Sequence, residues 1–123
     1  MASKKNILVV EDSSSVRKLL VSALGSAGFE LHAACDGHEA LGILQGASVD
    51  LIISDLNMPG MDGAELVSNV RGLSGHRFTP FIVLSGEQDN DKKVHARKLG
   101  ASAWLNKPFK TEQLLKVVQM VIG

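Results

Sequence analysis

Cysteine occurs once in these 123 residues, as Cys35, so no intramolecular disulfide can form, and this residue is expected to be a small buried one. An excess of charge of either sign is missing. Thirteen Lys and Arg offset thirteen Asp and Glu, so the totals lack the basic footprint of a nucleic-acid-binding domain. No stretch approaches the roughly 20 apolar residues of a membrane-spanning helix. The polar start, Met1-Ala2-Ser3-Lys4-Lys5, has no apolar signal-peptide core. These absences lead to the expectation of a cytoplasmic protein with no nucleic-acid partner and no membrane insertion. No glycine-rich loop runs into Lys-Ser or Lys-Thr, so the chain has no recognisable nucleotide site of its own. His32, His38, His76 and His95 show no ligand spacing and read as surface or half-buried residues. With no internal repeat, linker or low-complexity segment, residues 1–123 read as a single domain.

What the chain does have is alternation. Ile7-Leu8-Val9-Val10 is a short apolar run of the kind a strand covered on both faces needs. Asp12 and Ser13 to Ser15 are helix-start residues, and Val16, Leu19, Leu20, Ala23 and Leu24 recur at helical spacing until Gly25 and Gly28. Leu31 to Ala34 reads as an edge strand and the segment after Gly37 as a short helix. Val49 to Ser54 and Phe81 to Leu84 are further buried strands, and Ser102 to Leu105 is the last. Between them lie a loop from Asp55 to Gly63, a helix from Ala64 to Arg71 and a polar helix from Asp89 to Leu99. A final helix runs from Thr111, a candidate cap, to Ile122. Five strand–helix units in alternation predict an α/β fold, a parallel sheet with helices on both faces. Right-handed crossovers leave few topologies, of which the flavodoxin-like order 2-1-3-4-5 fits five strands.

In such a sheet the residues beyond the carboxyl ends of the strands meet in one crevice. Here they are Glu11 and Asp12, then Asp55 with Asn57, then Ser85 with Glu87, and lastly Lys107 before Pro108. Taken singly, each has a bland reading: a solvated helix start, a turn serine, a surface lysine. Taken together they place carboxylates, a hydroxyl and an ammonium at one edge. Two unit charges about 4 Å apart repel by roughly 4 kcal/mol at an effective dielectric near 20. A hard divalent cation relieves that repulsion, and Mg²⁺ suits one or two carboxylates, waters and a phosphate oxygen. Phosphoryl transfer fits, because it relies on positioning and charge neutralisation. Asp55 would be the nucleophile, and Lys107 and Ser85 would meet the phosphoryl oxygens.

Glu11-Asp12, Asp55-Leu56-Asn57-Met58-Pro59-Gly60-Met61-Asp62-Gly63, Ser85-Gly86-Glu87 and Lys107-Pro108-Phe109 closely resemble the response-regulator receiver family, over essentially the whole chain. Asn57 and Glu87 make it most similar to the stand-alone, CheY-like chemotaxis members. The resemblance implies that Asp55 accepts phosphate from a phosphohistidine of a sensor histidine kinase. It implies Mg²⁺, with Mn²⁺ as the alternative, bound by Asp12, Asp55 and the Asn57 backbone carbonyl, with Glu11 helping through water. It implies that Ser85 and Lys107 bind the phosphoryl group, that Lys107-Pro108 is a cis peptide, and that Asn57 and Glu87 tune dephosphorylation. Ser85 and Trp104 take the switch positions, where threonine and Tyr or Phe are commoner. The last strand, the last helix and the polar helix before them would form the partner surface, although a solvated face is the plain reading of Asp91, Lys92, Lys93, Arg97 and Lys98.

Three outputs stay open: binding a flagellar motor component, shuttling phosphate to a histidine phosphotransfer protein, or serving as the receiver of a larger regulator. An aspartyl-phosphate phosphatase of the haloacid dehalogenase kind would need an acid two residues after the nucleophile, and Asn57 has no proton to give. A flavodoxin-like cofactor carrier is disfavoured by Glu11 and Asp12, which would repel a bound phosphate.

Overall fold

In β1 (Asn6–Val10), β3 (Leu51–Asp55) and β4 (Phe81–Ser85) nearly every side chain is buried, because each strand is covered on both faces. The computed structural model describes residues 4–86 and 89–122. The other elements are α1 (Ser14–Ser26), β2 (Glu30–Ala34), α2 (Gly37–Gly46), α3 (Gly63–Arg71), α4 (Asn90–Leu99), β5 (Ala103–Asn106) and α5 (Thr111–Ile122). The strands form one parallel sheet in the order β2-β1-β3-β4-β5, as the alternation predicted. β2 is an edge strand, and its half-exposed pattern explains its weaker apolar signal.

Successive side chains of a strand point to opposite faces, so each apolar run feeds two cores. Ile7, Val9, Leu51, Ile53, Ile82 and Leu84 pack with Leu20 and Leu24 of α1 and Leu114 and Val118 of α5. Leu8, Val10, Ile52, Phe81 and Val83 pack with α2, α3 and Ala96 of α4 on the other side. All five carboxyl ends of the strands therefore lie along one edge.

Local chemistry sets the helix starts at that edge. Ser13 caps α1 by accepting from the Val16 N–H at 3.4 Å, and Asp62 caps α3 by accepting from the Glu65 N–H at 2.9 Å. Gly63 opens α3 with its N–H on the Leu56 carbonyl at 2.8 Å. A Cβ there would sit 2.7 Å from the Asp55 carbonyl oxygen and 2.8 Å from the Leu56 Cα, so only glycine lets α3 begin this close to the end of β3.

Some expectations change. Thr111 is the first residue of α5 rather than its cap. The Leu114 N–H bonds the Lys110 carbonyl, and the Gln113 side chain accepts the Lys110 N–H. Asp55 and Ser85 are the last residues of β3 and β4, whereas the apolar pattern places them just beyond. Cys35 is exposed, because it follows the edge strand rather than a central one. Its N–H bonds the Glu39 carboxylate, and local desolvation together with the charges of Glu39 and Asp36 raises its thiol pKa, away from the reactive thiolate. His76 is buried, with Nδ1 3.1 Å from the Thr79 hydroxyl; its carbonyl accepts from Arg71, which also reaches the Gly100 carbonyl and so ties down the α3–β4 connection.

Candidate phosphoacceptor site

Lys107 bridges the two ends of the site. Its Nζ lies 3.1 Å from Glu11 Oε1 and 3.1 Å from Asp55 Oδ2. Both ion pairs found among the described residues belong to this one ammonium, so the chain concentrates its close charge pairing here. Sheet register brings the groups together. β1 and β3 are neighbours, β3 and β4 are neighbours, and the Lys107 N–H donates to the Ser85 carbonyl at 2.7 Å. The Lys107–Pro108 peptide is cis, as expected.

Glu11 is fully buried. Its carbonyl accepts from Arg17 at 2.7 Å, and its second carboxylate oxygen accepts from the Ser13 N–H at 3.3 Å, so the α1 start holds it in place. Asp12 beside it is exposed, and Asp55 is nearly buried. One carboxylate oxygen from each of Glu11, Asp12 and Asp55 lies within 4.8 Å of the others. Three carboxylates and one ammonium leave an excess of negative charge. Burial, proximity to the Asp12 carboxyl and the charge of Asp55 raise the Glu11 pKa, against the opposing pull of Lys107. Burial alone would lower the Lys107 pKa, but its bonds to Glu11 and Asp55 prevail and raise it, so it remains an ammonium. An all-oxygen donor set this crowded suits a hard divalent cation.

Ser85 supplies the feature that the carboxylates do not explain. Its hydroxyl is buried, and it is the one buried side-chain oxygen among the described residues without a hydrogen-bond partner. Buried polar groups are paired as a rule, so this hydroxyl, on the residue whose carbonyl accepts from the Lys107 N–H, is an exception at this sheet edge.

The match to a family model decides what kind of domain this is: the model of the response regulator receiver domain covers residues 7–119. The chain belongs to the response regulator receiver family. This receiver is similar to the solved chemotaxis protein CheY4 of Vibrio cholerae, at 44% identity over 97% of this chain and 99% of that one, with a TM-score of 0.93. It is 35% identical to a probable chemotaxis protein CheY of Rhizobium etli, covering 100% of this chain and 96% of that protein. It is also 34% identical to the transcriptional regulatory protein FixJ of Bradyrhizobium diazoefficiens and to the regulator NtrC of Salmonella typhimurium, but spans only 58% and 24% of their lengths.

Glu11, Asp12, Asp55 and Lys107 thus converge in this receiver. One expected residue stands apart from them, and another turns its side chain elsewhere. Trp104 lies on the outer side of β5, 38% exposed, with Lys93 Nζ and the Arg97 guanidinium 5.9 and 5.8 Å from its ring centre. The Asn57 N–H faces Asp55 Oδ1 at 3.4 Å, but its side chain turns toward α4. There Nδ2 donates to Asp89 at 2.8 Å, and Oδ1 accepts from Lys92 at 2.6 Å. Glu87 lies outside the described residues. Asp89 and Lys92 are the residues that sequence reasoning passed over, since both read as parts of a solvated helix and no local pattern marks a contact to a loop more than 30 residues away. Among the described residues no helix is long and apolar enough to cross a membrane.

Proposed function

We propose that this receiver, a single domain over residues 1–123, is a phosphorylation-activated signalling module whose acceptor is Asp55. The observation that carries the reading is the unpartnered, buried hydroxyl of Ser85, whose carbonyl accepts from the N–H of the Lys107 that pairs with Asp55. A carboxylate oxygen of Asp55 forms the bond to phosphorus while the P–N bond of a kinase phosphohistidine breaks. The imidazole leaves with the electron pair and takes up a proton. Lys107 neutralises one developing charge and Ser85 donates to another phosphoryl oxygen. Mg²⁺, or Mn²⁺ in its place, would be held by Asp12, Asp55 and the Asn57 carbonyl, with Glu11 behind them, and would supply charge neutralisation at the transferred group. Asn57 and Glu87 tune the lifetime of the phosphoryl group. Phosphorylation adds about −1.5 to −2 charges, by analogy with other phosphorylated side chains. Ser85 and Trp104 respond to it, changing the affinity of the α4–β5–α5 face for a target protein.

Similarity to the two chemotaxis proteins supports a chemotaxis-type output such as binding a flagellar motor component. Similarity to part of the transcriptional regulatory protein FixJ supports a second reading, the receiver portion of a larger regulator, and a phosphotransfer shuttle uses the same site. The test is acetyl phosphate with Mg²⁺, followed by intact mass under conditions that trap a short-lived adduct. Addition of one phosphoryl group, lost in Asp55→Asn, is expected. No adduct on the wild-type chain overturns the reading.

A further inference from the structure

Asp89 is a carboxylate with little access to water, at 7% exposure, and a buried charge has to be satisfied by its neighbours. It occupies the cap position of α4, yet it makes no side-chain bond to that helix. Its Oδ2 instead accepts from the Gly86 N–H at 2.8 Å and from Asn57 Nδ2 at 2.8 Å. Gly86 immediately follows Ser85, and Asn57 stands two residues beyond Asp55. One carboxylate therefore ties together the two loops that frame the acceptor. Lys92, one turn along α4, completes the arrangement by donating to Asn57 Oδ1 at 2.6 Å. Both ends of the Asn57 amide are thus engaged, one by Asp89 and the other by Lys92 of α4.

We propose that Asp89 and Lys92 are positioning residues that latch Asn57 and Gly86 in the arrangement of this structure, so that occupancy of Asp55 by a phosphoryl group works against them. This rests on the acceptor reading above. An anion on Asp55 draws the unpartnered Ser85 hydroxyl toward it, and Gly86 moves with Ser85. The Gly86 bond to Asp89 resists that movement, and the negative charge of Asp89 opposes a second anion nearby. Opening the latch also frees the Asn57 amide to turn toward the acceptor.

The experiment measures Mg²⁺-dependent binding of fluoroberyllate, a phosphoryl mimic, to wild type, Asp89→Ala, Lys92→Ala and Lys92→Arg, each also in an Asn57→Ala background. Coupling energies between linked sites commonly start near fivefold in affinity. Binding tighter by about fivefold in Asp89→Ala, and less in Lys92→Ala, is expected. Lys92→Arg restores the wild-type value, and the Lys92→Ala gain vanishes when Asn57 is already alanine, whereas Asp89→Ala keeps the part that comes from its Gly86 bond and its charge. Lys92 is exposed, so Lys92→Ala carries the test if Asp89→Ala fails to fold. Unchanged affinity in both variants, or a Lys92→Ala gain that persists without Asn57, overturns the latch while leaving the acceptor site standing. No fluoroberyllate binding by the wild type overturns the acceptor reading and the latch with it.

Discussion

Glu11 and Ser85 are both buried polar residues at the same sheet edge, but they burden the fold in different ways. The raised Glu11 pKa means that the folded chain holds this proton more tightly than the unfolded chain does. Between its ordinary value of 4.5 and the raised one the folded state carries more protons, so Glu11 makes stability fall as pH rises through that window. Other carboxylates contribute slopes of their own, so the prediction concerns a difference. Urea unfolding across that window should show Glu11→Gln losing less stability with rising pH than wild type. Lys107 gives a slope of the same sign at the alkaline end. Its raised pKa makes its contribution complete below the ordinary 10.5, and that contribution is lost as pH rises through the higher folded value. The Ser85 hydroxyl has no partner, and an orphaned buried hydroxyl costs about 1–3 kcal/mol. Ser85→Ala should therefore leave unfolding free energy unchanged or raise it by about 1 kcal/mol, while weakening fluoroberyllate binding by about tenfold. A loss of stability together with unchanged binding would assign the hydroxyl to the fold instead of the site.

At the scale of the elements, β1, β3 and β4 could be read from the sequence because their residues are buried on both faces, which leaves continuous apolar runs. β2 and β5 gave weaker signals, since an edge strand buries less of itself. Boundaries shifted by a residue or two where pairing with a neighbour extends a strand past its apolar run, as at Asp55 and Ser85. The convergence of Glu11, Asp12, Asp55 and Lys107 was readable because parallel order alone brings strand ends together. The turn of Asn57 toward α4 was not, because it depends on two side-chain bonds across separate loops, and neither was the burial of His76 beneath a connection. Glycines show the same division between local and tertiary causes. Gly42 lies inside α2, and a Cβ added there would meet nothing within 4 Å, so Gly42→Ala should stabilise the chain by about 0.5–1 kcal/mol. Gly63 looks no different in sequence, yet its Cβ would strike the Asp55 carbonyl and the Leu56 backbone. Gly63→Ala should cost about 1–3 kcal/mol, as overpacking against backbone does, and should also disturb anion binding because Asp55 shifts with the loop. Thermal unfolding of the two variants side by side distinguishes a helix-propensity effect from a steric one.

Across the whole molecule the two hydrophobic cores hold the sheet, and the sheet edge holds an uncompensated charge. The chain as a whole has zero formal charge, but the cluster of Glu11, Asp12 and Asp55 carries three carboxylates against the single ammonium of Lys107. Global neutrality and local imbalance have different consequences for stability. Removing a carboxylate from this cluster relieves repulsion, so Asp12→Asn, which changes an exposed residue outside both ion pairs, should leave the metal-free chain as stable as wild type or more so. A cation that binds only the folded state stabilises it by mass action, by about 2.7 kcal/mol at a hundred times its dissociation constant. Saturating Mg²⁺ should therefore raise the wild-type midpoint of unfolding and have much less effect on Asp12→Asn, reversing the order of the two proteins. If the wild type is insensitive to Mg²⁺, or Asp12→Asn responds as strongly, the three carboxylates do not act as one metal site. The reversal separates this account from simple surface-charge repair, in which Asp12→Asn would stay ahead at every Mg²⁺ concentration.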